Sequence, residues 1–188
     1  MNNKFFKVLI IFCFIAFVVI IIFMPICFLK LSFKTSYVDI IENQLNVINN
    51  KTELLNTNFI LSIIKAESNF NSEAQSNKDA FGLMQLTLLT AREMAEKLNF
   101  EISKDDLFNP EINIKLGINY LNYLFSQKND KQLVLMCYNA GINRVNTWLE
   151  NGEIKVENGL YVCPFKETTD YIKKVINNEK IYNKFIRK

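Results

Sequence analysis

Phe59-Ile60-Leu61-Ser62-Ile63-Ile64-Lys65-Ala66-Glu67 is the stretch whose reading places this chain. The residues three, four and seven positions before Glu67 are Ile64, Ile63 and Ile60. At 3.6 residues per turn they share its helix face. The spacing predicts a helix capped by Thr57 or Asn58 and running to about Ser68, with a carboxylate on its oily face near the C-terminus. Desolvation and the negative end of the helix dipole both disfavour the charged form there, and both raise the carboxyl pKa. A carboxylic acid kept protonated near neutral pH can give a proton to a leaving oxygen. The same pattern also fits a glutamate that reaches water from a frayed helix end. The residues alone leave both readings open.

Outside this stretch, composition narrows the chemistry. The chain has 188 residues and no histidine. Ser-His-Asp and Cys-His catalysis, His-ligated zinc and the HExxH protease helix are therefore excluded. Cys13 and Cys27 lie in an oily head, which leaves Cys137 and Cys163 for the rest, too few for a four-cysteine zinc site. A Cys137–Cys163 bond is possible outside a cell. The first 34 residues hold four lysines and no acid, so residues 35–188 carry 18 basic and 19 acidic side chains. That balance, with no dense basic stripe, argues against nucleic acid as a partner. No cofactor is called for; carboxylates, hydroxyls, amides and amines carry any chemistry.

The head itself is uncharged from Val8 to Leu29, 22 residues that as a helix span roughly 30 Å. It is longer than a secretory apolar core, and Lys30-Leu31-Ser32-Phe33 offers no small-residue cleavage site. The expected organisation is a cytoplasmic N-terminus over 1–7, a transmembrane anchor over 8–29, a linker over 30–36 and a folded domain over 37–188. Lys4 and Lys7 on one side and Lys30 and Lys34 on the other favour the N-terminus inside only slightly. The domain is then on the extracytoplasmic side of the cytoplasmic membrane.

Along the domain the periodicities are helical. Val38, Ile41, Leu45 and Ile48 repeat within Tyr37–Asn50; Thr90 precedes Ala91, Met94, Ala95 and Leu98. Asn109-Pro110 caps a helix running to about Phe125. Asp130 opens another that reaches Asn139, with Gly141 where a C-terminus favours left-handed geometry. Val145, Trp148 and Leu149 mark a short helix ending at Asn151-Gly152, and Thr168 to about Ile186 reads as the last helix. Residues 153–163 alternate around Asn158-Gly159, the signature of a small hairpin.

Four ordered blocks complete the sequence picture. Glu67-Ser68-Asn69-Phe70-Asn71 leads to Ala74-Gln75-Ser76; then come Gly82-Leu83-Met84-Gln85 and Thr90-Ala91, then Tyr138-Asn139-Ala140-Gly141, then Pro164-Phe165-Lys166-Glu167-Thr168-Thr169-Asp170-Tyr171-Ile172. In this order and spacing the chain resembles the soluble lytic transglycosylase (SLT) family of peptidoglycan-cleaving enzymes over roughly residues 37–185. The resemblance implies a mainly α, lysozyme-like fold with at most a small hairpin, here preceded by one transmembrane helix, and a monomer acting on peptidoglycan glycan strands. It implies that Glu67 is the single catalytic residue. This acid protonates the bond between N-acetylmuramic acid and N-acetylglucosamine. It then takes a proton from the muramic C6 hydroxyl, which closes onto C1 to leave a 1,6-anhydromuramyl end. Ordinary glycosidases need two carboxylates instead.

By the same resemblance Ser76, Gln85, Tyr138, Asn139 and Tyr171 bind substrate or approach the acid. Plainer readings stand beside these: Ser76 as a turn cap, Leu83 and Met84 as core, Tyr138 and Tyr171 as core tyrosines. Two positions depart from the family pattern, Thr87-Leu88 where a Met-Pro pair is usual and Cys137 where an alanine-like residue is usual. A goose-lysozyme type hydrolase would use Glu73, Asp79 or Glu167 as a second carboxylate. A glycan-binding scaffold without catalysis is the remaining alternative.

Overall fold

The computed structural model describes residues 3–49 and 51–186; side chains at 3–9, 22, 25, 26, 28–30, 185 and 186 lie outside that description. The chain divides into two compact units, Met1–Lys34 and Thr35–Lys188. The first is a single helix, α1 (Asn3–Ser32), with Ile10, Phe12, Phe14, Phe17 and Ile21 among its exposed apolar side chains. The expected transmembrane span over 8–29 falls partly on positions whose side chains are not described, as do its flanking Lys4, Lys7 and Lys30. Among the described residues no helix is long and apolar enough to cross a membrane. The single-pass span is therefore not borne out.

The second unit is helical, as expected. It contains α2 (Val38–Asn46), α3 (Thr57–Glu67), α4 (Leu88–Lys97), α5 (Pro110–Gln127), α6 (Lys131–Ala140), α7 (Ile142–Glu150) and α8 (Lys166–Ile181), with a 3-10 turn at Asp105–Phe108 and a π-helical turn at Tyr182–Ile186. Caps set most of the starts. Asn109 accepts from the Glu111 and Ile112 amides ahead of Pro110, and Asp130 accepts from those of Gln132 and Leu133. One expected cap shifts: Asn56, not Thr57 or Asn58, caps α3; Thr87 caps α4, which starts at Leu88, ahead of the Thr90 read from the sequence. In both, the residue three positions earlier supplies a side-chain oxygen at bonding distance of an orphan amide, 3.1 Å for Phe59 and 3.2 Å for Thr90. Gly141, at φ +87, closes α6. Asn50, the expected end of the domain's first helix, lies outside the described residues, and α2 ends at Asn46.

α3 is the core of this unit. Phe59, Ile60, Leu61, Ile63 and Ile64 are wholly buried, and Ser62 with them, so the helix is enclosed nearly all round rather than along one stripe. α8 packs chiefly along it, and α2 covers another side. The hairpin expected at 153–163 is present as β3 (Lys155–Glu157) and β4 (Leu160–Val162), antiparallel, with Val156 opposite Tyr161. A second two-stranded pair was not foreseen. Strands β1 (Ala80–Phe81) and β2 (Leu86–Thr87) are joined by Gly82-Leu83-Met84-Gln85. The fold class is thus corrected from at most one hairpin to two. Cys137 and Cys163 are both buried and both free, so no disulfide joins them.

Candidate active site

Three elements meet at the carboxyl end of α3. Glu67 is its last residue and is half-buried. Burial raises its pKa from 4.5 to about 7, against the opposing pull of the Tyr171 hydroxyl and the Lys174 ammonium. The carboxyl is therefore close to half protonated at neutral pH, the state a proton donor that must later accept a proton requires. The chain after it is forced: Asn69 and Phe70 both take left-handed geometry, φ +52 and +66, which is costly for a bulky residue. Phe70 is buried and stacks on Tyr37, ring centroids 6.4 Å apart.

The β1–β2 loop lies beside this helix end and is pinned from three sides. Ser68 Oγ donates to the Leu83 carbonyl at 2.9 Å. Tyr138 donates its hydroxyl to the Met84 carbonyl at 2.7 Å. Asn113, wholly buried on α5, accepts from the Met84 amide at 2.8 Å and donates to the Phe81 and Leu107 carbonyls at 2.9 and 2.8 Å. Gly82, at φ +72, leaves room for this: a Cβ there would sit 2.1 Å from the Leu107 carbonyl oxygen. Gly117 similarly lets Met84 lie against α5. Leu83 and Met84 are wholly buried and serve the core.

A cavity of about 200 Å³ opens next to the loop, lined among others by Gln85, Thr90, Tyr120, Tyr138 and Asn139. Gln85 donates to the Ala74 and Gly82 carbonyls at 3.1 and 2.9 Å, which leaves its Oε1 as the group it can offer a ligand. Asn139 is arranged the other way. Its Oδ1 accepts from Thr168 at 2.7 Å, which leaves its amide N–H groups to donate.

The structure thus brings Gln85, Tyr138 and Asn139 to one cavity, and Glu67 with Tyr171 to a neighbouring cluster. Tyr138 joins the two, since desolvation and the nearby Glu67 charge push the phenol of this half-buried residue well above the usual tyrosine range. Tyr171 is buried in α8, and its hydroxyl has no partner at hydrogen-bonding geometry. It is nonetheless near enough to Glu67 for each to move the other's proton affinity. Ser76 stands apart from both groups. Its Oγ accepts from the Lys78 and Ala80 amides at 3.2 Å each, the arrangement of a turn cap. Glu73 and Asp79 are exposed, and Glu167 is exposed and paired with Lys78 at 3.0 Å. None of these three acts on the Glu67 carboxyl.

Sequence reasoning missed Asn113, Tyr120, Thr168 and Lys174. Asn113 carried a signal of the same kind as Glu67, a polar side chain whose helix face continues through Leu116, Gly117 and Tyr120. Lys174 lies one turn beyond Tyr171 on the same face of α8. Its Nζ donates to the Ala66 carbonyl at 2.6 Å.

A helical domain with a desolvated acid at a helix end beside a glycine-turn loop defines a class, and comparison with known proteins places the chain in it. Residues 45–158, more than half of the chain, match the model of the transglycosylase SLT domain, and the chain belongs to that family. It is 33% identical over 133 residues to the soluble lytic murein transglycosylase of Escherichia coli K12, a match covering 68% of this chain and 21% of that protein. Its structure resembles the 70 kDa soluble lytic transglycosylase of E. coli, with a TM-score of 0.73 and 28% identity over 85% of this chain and 26% of that one. It also resembles an inactive glutamate-to-glutamine mutant of the lytic transglycosylase Slt of Pseudomonas aeruginosa, with a TM-score of 0.67 and 30% identity over 80% of this chain and 24% of that one. The chain therefore spans about a fifth of the curated relative's length.

Proposed function

We propose that the unit 35–188 cleaves the glycan strands of peptidoglycan as a lytic transglycosylase, with Glu67 acting first as acid and then as base. The observation that carries this reading is a carboxyl raised to about 7 by burial, with no second carboxylate acting on it among the described residues. Glu67 gives its proton to the oxygen between N-acetylmuramic acid and N-acetylglucosamine as the bond to C1 breaks. The neighbouring acetamido group steadies the cationic carbon. The carboxylate then takes the proton of the C6 hydroxyl, whose oxygen closes onto C1. Glu67 ends as it began, no water is consumed, and the product carries a 1,6-anhydromuramyl end. Gln85, Tyr138 and Asn139 hold the sugars, Tyr171 steadies the Glu67 charge, and Ser76 supports the loop that faces the glycan. Relatives named as lytic murein transglycosylases, and the inactive glutamate variant of one of them, support the assignment.

Digestion of purified glycan followed by mass spectrometry tests it. Anhydromuramyl ends are expected; reducing ends overturn the mechanism in favour of hydrolysis, and tight binding without turnover favours a scaffold. Glu67→Gln is expected to lower the rate by a factor on the order of 10² to 10⁴ with the fold retained.

We also propose that the apolar head keeps this unit at a membrane. The support is in the sequence: no charge from Val8 to Leu29, with lysines at both ends. Carbonate washing of membranes should leave the chain in the pellet; release into the wash would refute the proposal.

A further inference from the structure

Side chains of α8 bond to backbone carbonyls of α3 at two points one helical turn apart. Asn178 donates to the Ser62 carbonyl at 3.3 Å, and Lys174 donates to the Ala66 carbonyl at 2.6 Å. The second bond has a particular place. Ala66 belongs to the last turn of α3, whose carbonyls have no partner within the helix, and a cation there complements the negative helix end. It also immediately precedes Glu67. The ammonium is thus fixed beside the carboxyl without touching it: among the described residues the ion pairs are Lys78–Glu167, Lys131–Glu179 and Lys166–Asp170, and Glu67 is in none of them.

We propose that Lys174 is a positioning residue for Glu67: clamped on the Ala66 carbonyl, its ammonium holds a fixed positive charge beside the carboxylate that forms when Glu67 gives up its proton. The clamp does two things at once. It holds the end of the helix on which the acid sits, and it favours the charged state that must exist between the donation and the return of the proton. A contact ion pair would favour that state too strongly and leave too little acid to donate. An ammonium held by a carbonyl instead acts through space, weakened by its own hydrogen bond.

The other groups acting on Glu67 fit this arrangement. From α8 these are Tyr171, with its unpartnered buried hydroxyl, and Lys174; from α6, Tyr138 faces the same charge but spends its proton on Met84. On α3 itself Lys65 is turned to Asn69. α2 and the Tyr182–Ile186 turn, which also pack on α3, supply none of the interactions on the carboxyl among the described residues. Among the described residues Lys174 is the cation whose charge acts on Glu67, which makes it the natural point at which to alter the acid without altering the cavity.

This inference rests on Glu67 being the acid, and its test separates the two claims. The full chain, kept in mild detergent, is compared with Lys174→Met and Lys174→Arg. The Glu67 carboxyl is titrated by carbon NMR, using Glu67→Gln to assign the signal, and the pH profile of glycan cleavage is recorded beside it. In Lys174→Met both the titration midpoint and the alkaline limb of the profile are expected to move up by about one pH unit. Lys174→Arg, which keeps the charge, is expected to restore both. A midpoint unmoved in Lys174→Met overturns the role of Lys174, since a lost helix cap alone lowers stability without moving a titration. Full activity in Glu67→Gln would instead overturn the assignment of the acid, while the NMR titration still judges Lys174.

Discussion

At the scale of single residues, Glu67 links function to stability. Its folded-state pKa, about 7, lies above the 4.5 of the free carboxyl. The native state therefore holds this proton more tightly than the unfolded chain does. The resulting stability is fully present below about pH 4.5 and is lost as the pH rises through about 7. With a tenfold change in proton affinity worth about 1.4 kcal/mol, the loss comes to about 3 kcal/mol. Glu67→Gln is then expected to match the native protein near pH 4 and to exceed it by up to about 3 kcal/mol at pH 8. Urea unfolding at both values checks this, and a difference that ignores pH would contradict the buried-acid account. Gly82 makes the opposite case. Any side chain there meets the Leu107 carbonyl at 2.1 Å with φ at +72. Gly82→Ala is expected to cost about 3 kcal/mol or more, read as a lowered urea midpoint.

At the scale of elements, helices were legible where their own residues specify them. Asn109-Pro110 and Asp130 start α5 and α6 as read, because the cap and the first turn are adjacent in sequence. Asn109→Ala is expected to cost about 1 kcal/mol by thermal melting, the usual value of such a cap. The β1–β2 pair was not legible. Two residues per strand leave no alternation to read, and the loop between them is shaped by distant groups: Ser68 on one side, Asn113 and Tyr138 on the other. Asn113→Ala would leave the Met84 amide and two carbonyls without their partner. A loss of roughly 3 kcal/mol is expected, with glycan cleavage falling alongside it as the loop loosens. A stability loss with unchanged cleavage would show that the loop does not depend on Asn113.

At the scale of the whole molecule, the sequence separated an oily head from a polar body, and the structure divides at Lys34–Thr35. The site was legible in part. Gln85, Tyr138 and Asn139 do share a cavity, but the bonds that fix their roles were invisible, because each joins residues distant in sequence: Gln85 to Ala74, Tyr138 to Met84, Asn139 to Thr168. The cysteines give a prediction at this scale. With Cys137 and Cys163 buried and free, a reducing agent is expected to leave the melting temperature unchanged, and a thiol reagent should reach this pair only after denaturation. The cavity wall has a further consequence, for inhibitors. Gln85 has committed its donors and keeps an acceptor; Asn139 has committed its acceptor and keeps donors. The wall therefore presents an acceptor at Gln85 and donors at Asn139. A secondary amide complements it, offering N–H to one residue and C=O to the other, while an ester, lacking the N–H, can satisfy only Asn139.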